Sequence, residues 1–315
     1  MTSKEILKKI HSLREKVEEL HQEVQSLKIY SFHRSLHPEG LLKMRGIEVY
    51  RKDPTDRLFF PSTLSPSYQS QFFEMMKRYS FRLVIRDIIK YHERFSIEDL
   101  THYCSSRVVK QYCDFLLGIG IIEKEGRGKY RTVVSPLYSF GPTLEWFIAE
   151  MFKREFFSPS IYNVSIKKTH SGGDYDVIAS WNQRLVYVEV KSSPPKGIEI
   201  GEVRTFFSRM EDLLPDVAIL FNDTQLRMKD KLVVMVEEEL LRRYGKDSET
   251  LYPVERLIEE LFHVCHRLYI VNSKKDVVEN FRLCLRDYLR SLCLPFPSQA
   301  LRKGIDTLFK RGEGR

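Results

Sequence analysis

A chain of 315 residues is long enough to bury more than one core, and its 42% hydrophobic content is that of a water-soluble globular protein. It has no run of 18 apolar residues, and its Met1-Thr2-Ser3-Lys4-Glu5 start lacks a signal peptide's apolar stretch, so the expected location is the cytoplasm, with no membrane contact. The five cysteines (Cys104, Cys113, Cys265, Cys284, Cys293) show no CxxC spacing, which argues against a disulfide framework or zinc finger, while a net charge of +8 favours a polyanionic partner.

Residues 1–29 open with Thr2-x-x-Glu5, a capping-box pattern, and then place Ile6, Ile10, Leu13, Val17, Leu20, Val24 and Leu27 at alternating spacings of four and three. With Ile10, Val17 and Val24 at a and the others at d, this heptad seam suits a parallel two-stranded coil and hence a homodimer. The flanking charges do not decide the matter: Glu23 would meet Lys28 of a second chain, but Lys9 would face Arg14. A helix packing its stripe on its own chain fits equally well.

From 30 to 71 the periodicity disappears and Pro38, Pro54, Pro61 and Pro66 interrupt the chain, which predicts an extended connector docked through Tyr50 and Phe59-Phe60. Residues 72–135 predict three helices and a basic hairpin. Phe81, Val84, Ile85, Ile88 and Ile89 mark the first helix, and Ser96-x-x-Asp99 caps a short second one. Val108, Val109, Tyr112, Phe115 and Leu116 mark the third, and Gly126-Arg127-Gly128-Lys129 joins two strands.

A helix from about Pro142 to Phe156 follows, then strands at Tyr162–Ile166, Tyr175–Ser180 and Leu185–Lys191. If Asn182-Gln183 is a two-residue hairpin turn, facing residue numbers sum to 365. Ile178 then faces Tyr187, Asp176 faces Glu189, and Asp174 faces Lys191. Alternation places Asp176, Glu189 and Lys191 on one face and sends Val186, Val188 and Val190 to the other. Two carboxylates facing each other repel, and a divalent cation between them would remove the conflict.

Beyond this hairpin, a helix opens at Glu202 and a strand spans Val217–Phe221. Two helical stretches, Met228–Tyr244 and Pro253–Cys265, precede a strand at Arg267–Val271, and Ser273-x-x-Asp276 caps a last helix. Strand, crossover, strand predicts a parallel pair. His263 and His266 are spaced to share a metal, but the sequence offers no third ligand. His170 reads as an ordinary loop residue. The basic end, 293–315, reads as a solubilising tail.

The order helix, helix, helix, basic hairpin resembles the winged-helix family. In that family the third helix enters the major groove, which implies DNA contacts from Arg107, Lys110 and Gln111, with Arg127 and Lys129 on the wing. Residues 140–292, with an insertion near 223–265, resemble the PD-(D/E)XK, restriction-endonuclease-like nuclease superfamily through Asp176-Val-Ile and Glu189-Val-Lys191, with Tyr175 where the motif name has Pro. The resemblance implies an α/β fold with α+β elements, a mixed central sheet flanked by helices. It also implies Mg²⁺ or Mn²⁺ held by Asp176, Glu189 and the Val190 carbonyl, and Lys191 acting on the attacking water or the phosphate charge. Glu145 matches the position of a further acidic ligand in many members, with Glu150 as its rival. The expected function is a metal-dependent DNA endonuclease; a catalytically inactive DNA-binding regulator and an RNA nuclease remain as alternatives.

Overall fold

A computed structural model describes residues 9, 13–14, 16–20, 37–91, 94–126, 128–134 and 139–293. Most of the heptad seam, Arg127 and the basic tail after Cys293 therefore lie outside the described residues. The described positions between 9 and 20 are helical and exposed, Leu13, Val17 and Leu20 among them.

Residues 30–71 are not simply a connector. They hold helix α1 (Pro38–Met44), strand β1 (Val49–Arg51) and the start of α2 (Pro66–Met76). Two of the four prolines that suggested interruption instead begin helices: Pro38 and Pro66 stand in first turns, where a missing N–H costs nothing. Phe59 and Phe60 are buried, with Phe60 edge-on to Trp146 at 4.9 Å, whereas Tyr50 is exposed rather than docked.

Next come α3 (Tyr79–Tyr91), β2 (Phe95–Ser96), a 3-10 turn (Glu98–Leu100), α4 (Ser106–Gly118), β3 (Ile122–Lys124) and β4 (Lys129–Thr132). The three strands form a small sheet in the order β2-β4-β3. The expected second helix is only this 3-10 turn. The Ser96–Asp99 contact is present, Asp99 Oδ2 accepting from the Ser96 backbone N–H at 2.8 Å, but the N-cap of the turn is Ile97, and Ser105, five residues after Leu100, is already the N-cap of α4 and leaves no room for more turns.

The larger part begins with α5 (Gly141–Glu155) and the meander β5 (Ser160–Ile166), β6 (Asp174–Trp181) and β7 (Arg184–Lys191). Then follow α6 (Ile200–Leu213), β8 (Val217–Asn222), α7 (Val234–Tyr244), α8 (Ser248–Leu251), β9 (Val254–Ile258), β10 (Leu261–Val264), β11 (Leu268–Asn272) and α9 (Val277–Leu292). These strands and β1 make a mixed eight-stranded sheet, β1-β5-β6-β7-β8-β11-β10-β9. Strands β7, β8 and β11 run parallel; the others pair antiparallel.

The stretch Pro253–Cys265, expected to be helical, is a β-hairpin. All four residues of β10 are buried, with Leu261 in one hydrophobic cluster and Phe262 and Val264 in the other. Burial on both faces satisfies a strand inside a sheet and defeats a one-sided helix.

Hydrophobic side chains cover both faces of the sheet. One cluster joins Val177, Val186, Val188 and Val190 to α5, α9 and the helical part (Phe72, Phe81, Val109, Leu116), so the smaller sheet and its helices share a core with the larger one. The other gathers Ile178, Leu185 and Tyr187 with α6 and α7. A buried ion pair reinforces the junction: Arg82 of α3 donates to Asp223, just past β8, at 2.8 to 3.1 Å, and Arg86 Nη2 reaches Asp223 Oδ2 at 2.6 Å. The Asp223 backbone N–H in turn donates to the Lys191 carbonyl at 2.8 Å. Among the described residues, no helix is long and apolar enough to cross a membrane.

Candidate active site

The β6–β7 hairpin fixes the site. Asn182 and Gln183 both have positive φ, 50° and 61°, as a two-residue primed turn requires, and the ladder runs from Trp181↔Arg184 to Val177↔Val188. Every pair sums to 365. At the next step the ladder opens. The Val190 N–H donates at 2.7 Å to Oδ2 of Asp176, so a side chain takes the place of a ladder carbonyl.

Local alternation also breaks at this step. Tyr175 and Val177, which ought to share a face, fall in opposite clusters, as do Tyr162 and Val164 on β5, where Asn163 has φ 47°. The strands thus reverse facing at Asp176 and Asn163. Asp174 does not face Lys191; it pairs with Arg51 at 2.9 Å and takes the Ser165 hydroxyl.

Three carboxylates lie close enough at this opening to feel one another's charge, although among the described residues their oxygens do not all come within 4.8 Å of one another. Glu189 is buried and takes hydrogen bonds from Tyr187 Oη, from Lys191 Nζ at 2.9 Å and from Arg209 Nη1 at 2.9 and 3.1 Å. Arg209 Nη1 is also 3.9 Å from Asp176 Oδ1. Glu145 comes in from α5, buried, and accepts from Asn163 Nδ2 at 3.2 Å. Glu150, one and a half turns on, instead holds Lys153 and Arg154, so Glu145 is the α5 carboxylate at the cluster. Lys191 Nζ is shared with Glu202 Oε2 of α6, at 2.9 Å.

The electrostatics follow from burying like charges together. Burial, with the charges of Glu189 and Glu145, raises Asp176 well above the usual carboxylate range. Burial pushes Glu145 up to about 7, the Asn163 bond opposing and Glu189 adding to it. Glu189 is also buried, but Lys191 and Arg209 overcome that effect and hold it below its ordinary value. Burial acts to lower Lys191, yet Glu189 and Glu202 more than compensate and keep it a charged ammonium.

The donor set suits a hard divalent cation, which takes carboxylate oxygens and retains water. One buried atom supports that fit: Asn163 Oδ1, an acceptor, has no hydrogen-bond partner among the described residues. Glu145 and Glu189 are buried, while Asp176, Lys191 and Arg209 keep 15%, 16% and 12% of their side chains accessible, so these three line the open side of the cluster.

The sequence reading missed Arg209, Asn163, Tyr187 and Glu202. A signal for two of them existed: Glu202 and Arg209 are seven apart, hence on one face of α6. Arg107, Lys110, Gln111 and Lys129 are all exposed, on α4 and β4, outside the carboxylate cluster. His170, 99% exposed, pairs with Asp212 rather than with the site.

No protein-family model matches the sequence, and no curated protein matches it either. Two solved structures are similar in part. Protein VC1899 from Vibrio cholerae has 16% identity and a TM-score of 0.42 over 64% of this chain and 55% of that one. Can2 from Sulfobacillus thermosulfidooxidans, solved in complex with cyclic tetra-adenylate, has 12% identity and a TM-score of 0.40 over 80% of this chain and 60% of that one. The chain thus spans little more than half the length of each, and a likeness at this level says nothing of function.

Proposed function

We propose that the protein is a metal-dependent nuclease of the PD-(D/E)XK type that hydrolyses phosphodiester bonds in DNA. The observation that carries this reading is the convergence of Glu145, Asp176 and Glu189 with Lys191 where the β6–β7 ladder opens. The sequence α5, β5-β6-β7 meander, α6 and parallel β8 supports it, because that order sets a carboxylate helix beside a carboxylate hairpin.

Asp176, Glu189, Glu145 and the Val190 carbonyl would hold Mg²⁺ or Mn²⁺, which supplies positive charge to the phosphate and lowers the pKa of bound water. Lys191 remains charged, so its part is to donate hydrogen bonds to the non-bridging phosphate oxygens as negative charge develops. Glu202 orients that ammonium from α6. Asp176 is fixed by the Val190 N–H, which leaves Oδ1 as its other ligand atom.

The helical part fits a winged helix: α3, the 3-10 turn, α4 and the β3–β4 hairpin with β2 completing the small sheet. Its exposed Arg107, Lys110, Gln111 and Lys129 would grip the DNA. The exposed Leu13, Val17 and Leu20 would pair with a second copy of the helix, so that two sites act on one duplex.

Cleavage of duplex, single-stranded, flapped and branched DNA, with RNA alongside, tests the reading. Mg²⁺-dependent cutting is expected, and Lys191→Ala should lower it by about two to three orders of magnitude. DNA binding without cutting under any divalent metal would instead favour a DNA-binding regulator. Cutting of RNA alone would change the substrate.

A further inference from the structure

We propose a second metal site, for a borderline divalent cation such as Zn²⁺, formed by Glu255, His263 and His266. Strand pairing brings it together. Glu255 of β9 and His263 of β10 are direct cross-strand partners, and His266 folds back from the β10–β11 loop so that the two imidazoles stack at 4.1 Å between centroids. One ligand atom from each of the three residues lies within 4.8 Å of the others. Glu255 Oε2 is 3.9 Å from His263 Nε2, too far for a hydrogen bond but suited to an ion placed between them.

The surroundings orient a ligand. Asp287 of α9 lies 2.8 Å from His266 Nδ1, which fixes the proton on that nitrogen and frees Nε2. Tyr269, the other cross-strand neighbour of His263, holds Asp287 in place through its hydroxyl at 2.8 Å. Cys265 and His266 both adopt positive φ, 51° and 54°, conformations that Asn or Gly would take with less strain, so His266 is held over His263 against a backbone preference. Loading through His263 Nε2 would give up only the long 3.4 Å bond from the His266 N–H to Nδ1.

Two imidazoles and one carboxylate select a borderline ion such as Zn²⁺ or Co²⁺ over Mg²⁺. With Glu255 60% exposed, the fourth position belongs to water. The site lies at the opposite end of the sheet from the carboxylate cluster, because β7, β8 and β11 are parallel, Lys191 ends β7 and His266 precedes β11. It therefore clamps the β9–β10 hairpin and the following loop to α9, independently of cleavage.

The test is Co²⁺ and Zn²⁺ titration of the full chain in excess Mg²⁺, which occupies the oxygen-rich cluster. One equivalent of Co²⁺ should give the visible absorption of a four-coordinate ion, and Zn²⁺ should displace it and raise Tm. Glu255→Gln and His266→Ala, both at partly exposed positions, should abolish the signal, and Asp287→Asn should weaken binding at least tenfold. Cys265→Ser and Asp176→Asn should leave it intact. Absence of the Co²⁺ spectrum in the wild type, its persistence in His266→Ala, or its loss in Cys265→Ser would each overturn the assignment.

Discussion

Arg209 Nη1 bonds both carboxylate oxygens of Glu189, at 2.9 and 3.1 Å, so a cation from α6 already neutralises the carboxylate that β7 places in the cluster. Arg209→Ala leaves Glu145, Asp176 and Glu189 balanced by Lys191 alone. Losing one partner of a buried pair costs about 3–5 kcal/mol. The variant should therefore melt well below the wild type in EDTA, and divalent metal should restore more of the difference than it adds to the wild type. Equal melting with and without metal would count against Arg209 as the neutralising group.

Glu145 and Asp176, both raised by burial, give the pH dependence of stability the same sign, and Glu145 defines a window for it. Its folded value of about 7 lies above its ordinary 4.5, so between those limits the folded state holds a proton that the unfolded chain has released. Stability in metal-free buffer should be greatest near pH 4.5 in this respect and fall as pH rises to about 7, by on the order of 3 kcal/mol at most. Urea titrations of the wild type and Glu145→Gln across this range isolate the effect, since the variant should lose the Glu145 share of the slope while Asp176 keeps its own.

Breaking the Arg82–Asp223 pair should be costly, because both side chains are buried and Arg86 shares the same carboxylate. Arg82→Ala or Asp223→Ala should each lower stability by roughly 3–5 kcal/mol. Because the two residues are in contact, the double variant should lose less than the sum of the single losses, which a urea double-mutant cycle measures.

If the exposed face of α4 grips phosphates, salt will reveal it. Replacing Arg107 or Lys110 with Ala should weaken DNA binding uniformly across sequences and reduce the slope of log K against log salt by about 1 per contact. Fluorescence anisotropy between 50 and 200 mM salt reads this directly. An unchanged slope in both variants would remove α4 from the interface.

Legibility in the sequence depended on how local each signal was. The β6–β7 register followed from the Asn182-Gln183 turn and the period-two pattern, and it placed Ile178 against Tyr187 as found. Strand β8 and helix α9 were likewise readable, but the α9 cap is shifted by three residues: Asp276, not Ser273, accepts from the Glu279 N–H, because the Ser273 hydroxyl donates to Asp223. The opening of the ladder at Asp176 was not, since it coincides with a break on a different strand, where Asn163 has positive φ and the β5–β6 pairing skips from Tyr162↔Val177 to Val164↔Tyr175. The Pro253–Cys265 hairpin was read as helix because apolar spacing cannot distinguish a strand buried on both faces. That misreading also hid Glu255, which only strand pairing brings beside His263.

The single core shared by Phe72, Phe81 and Trp146 has a consequence for how a polymer would be measured. These packed rings and the Arg82 bond to Asp223 after β8 tie the helical part to the sheet that carries the carboxylates. A nucleic-acid strand held by the proposed α4 grip would meet Asp176 at a set offset, like cloth held against a ruler. Cleavage products would then cluster at discrete lengths from the gripped position, and loosening the junction would blur that spacing before it abolished cutting.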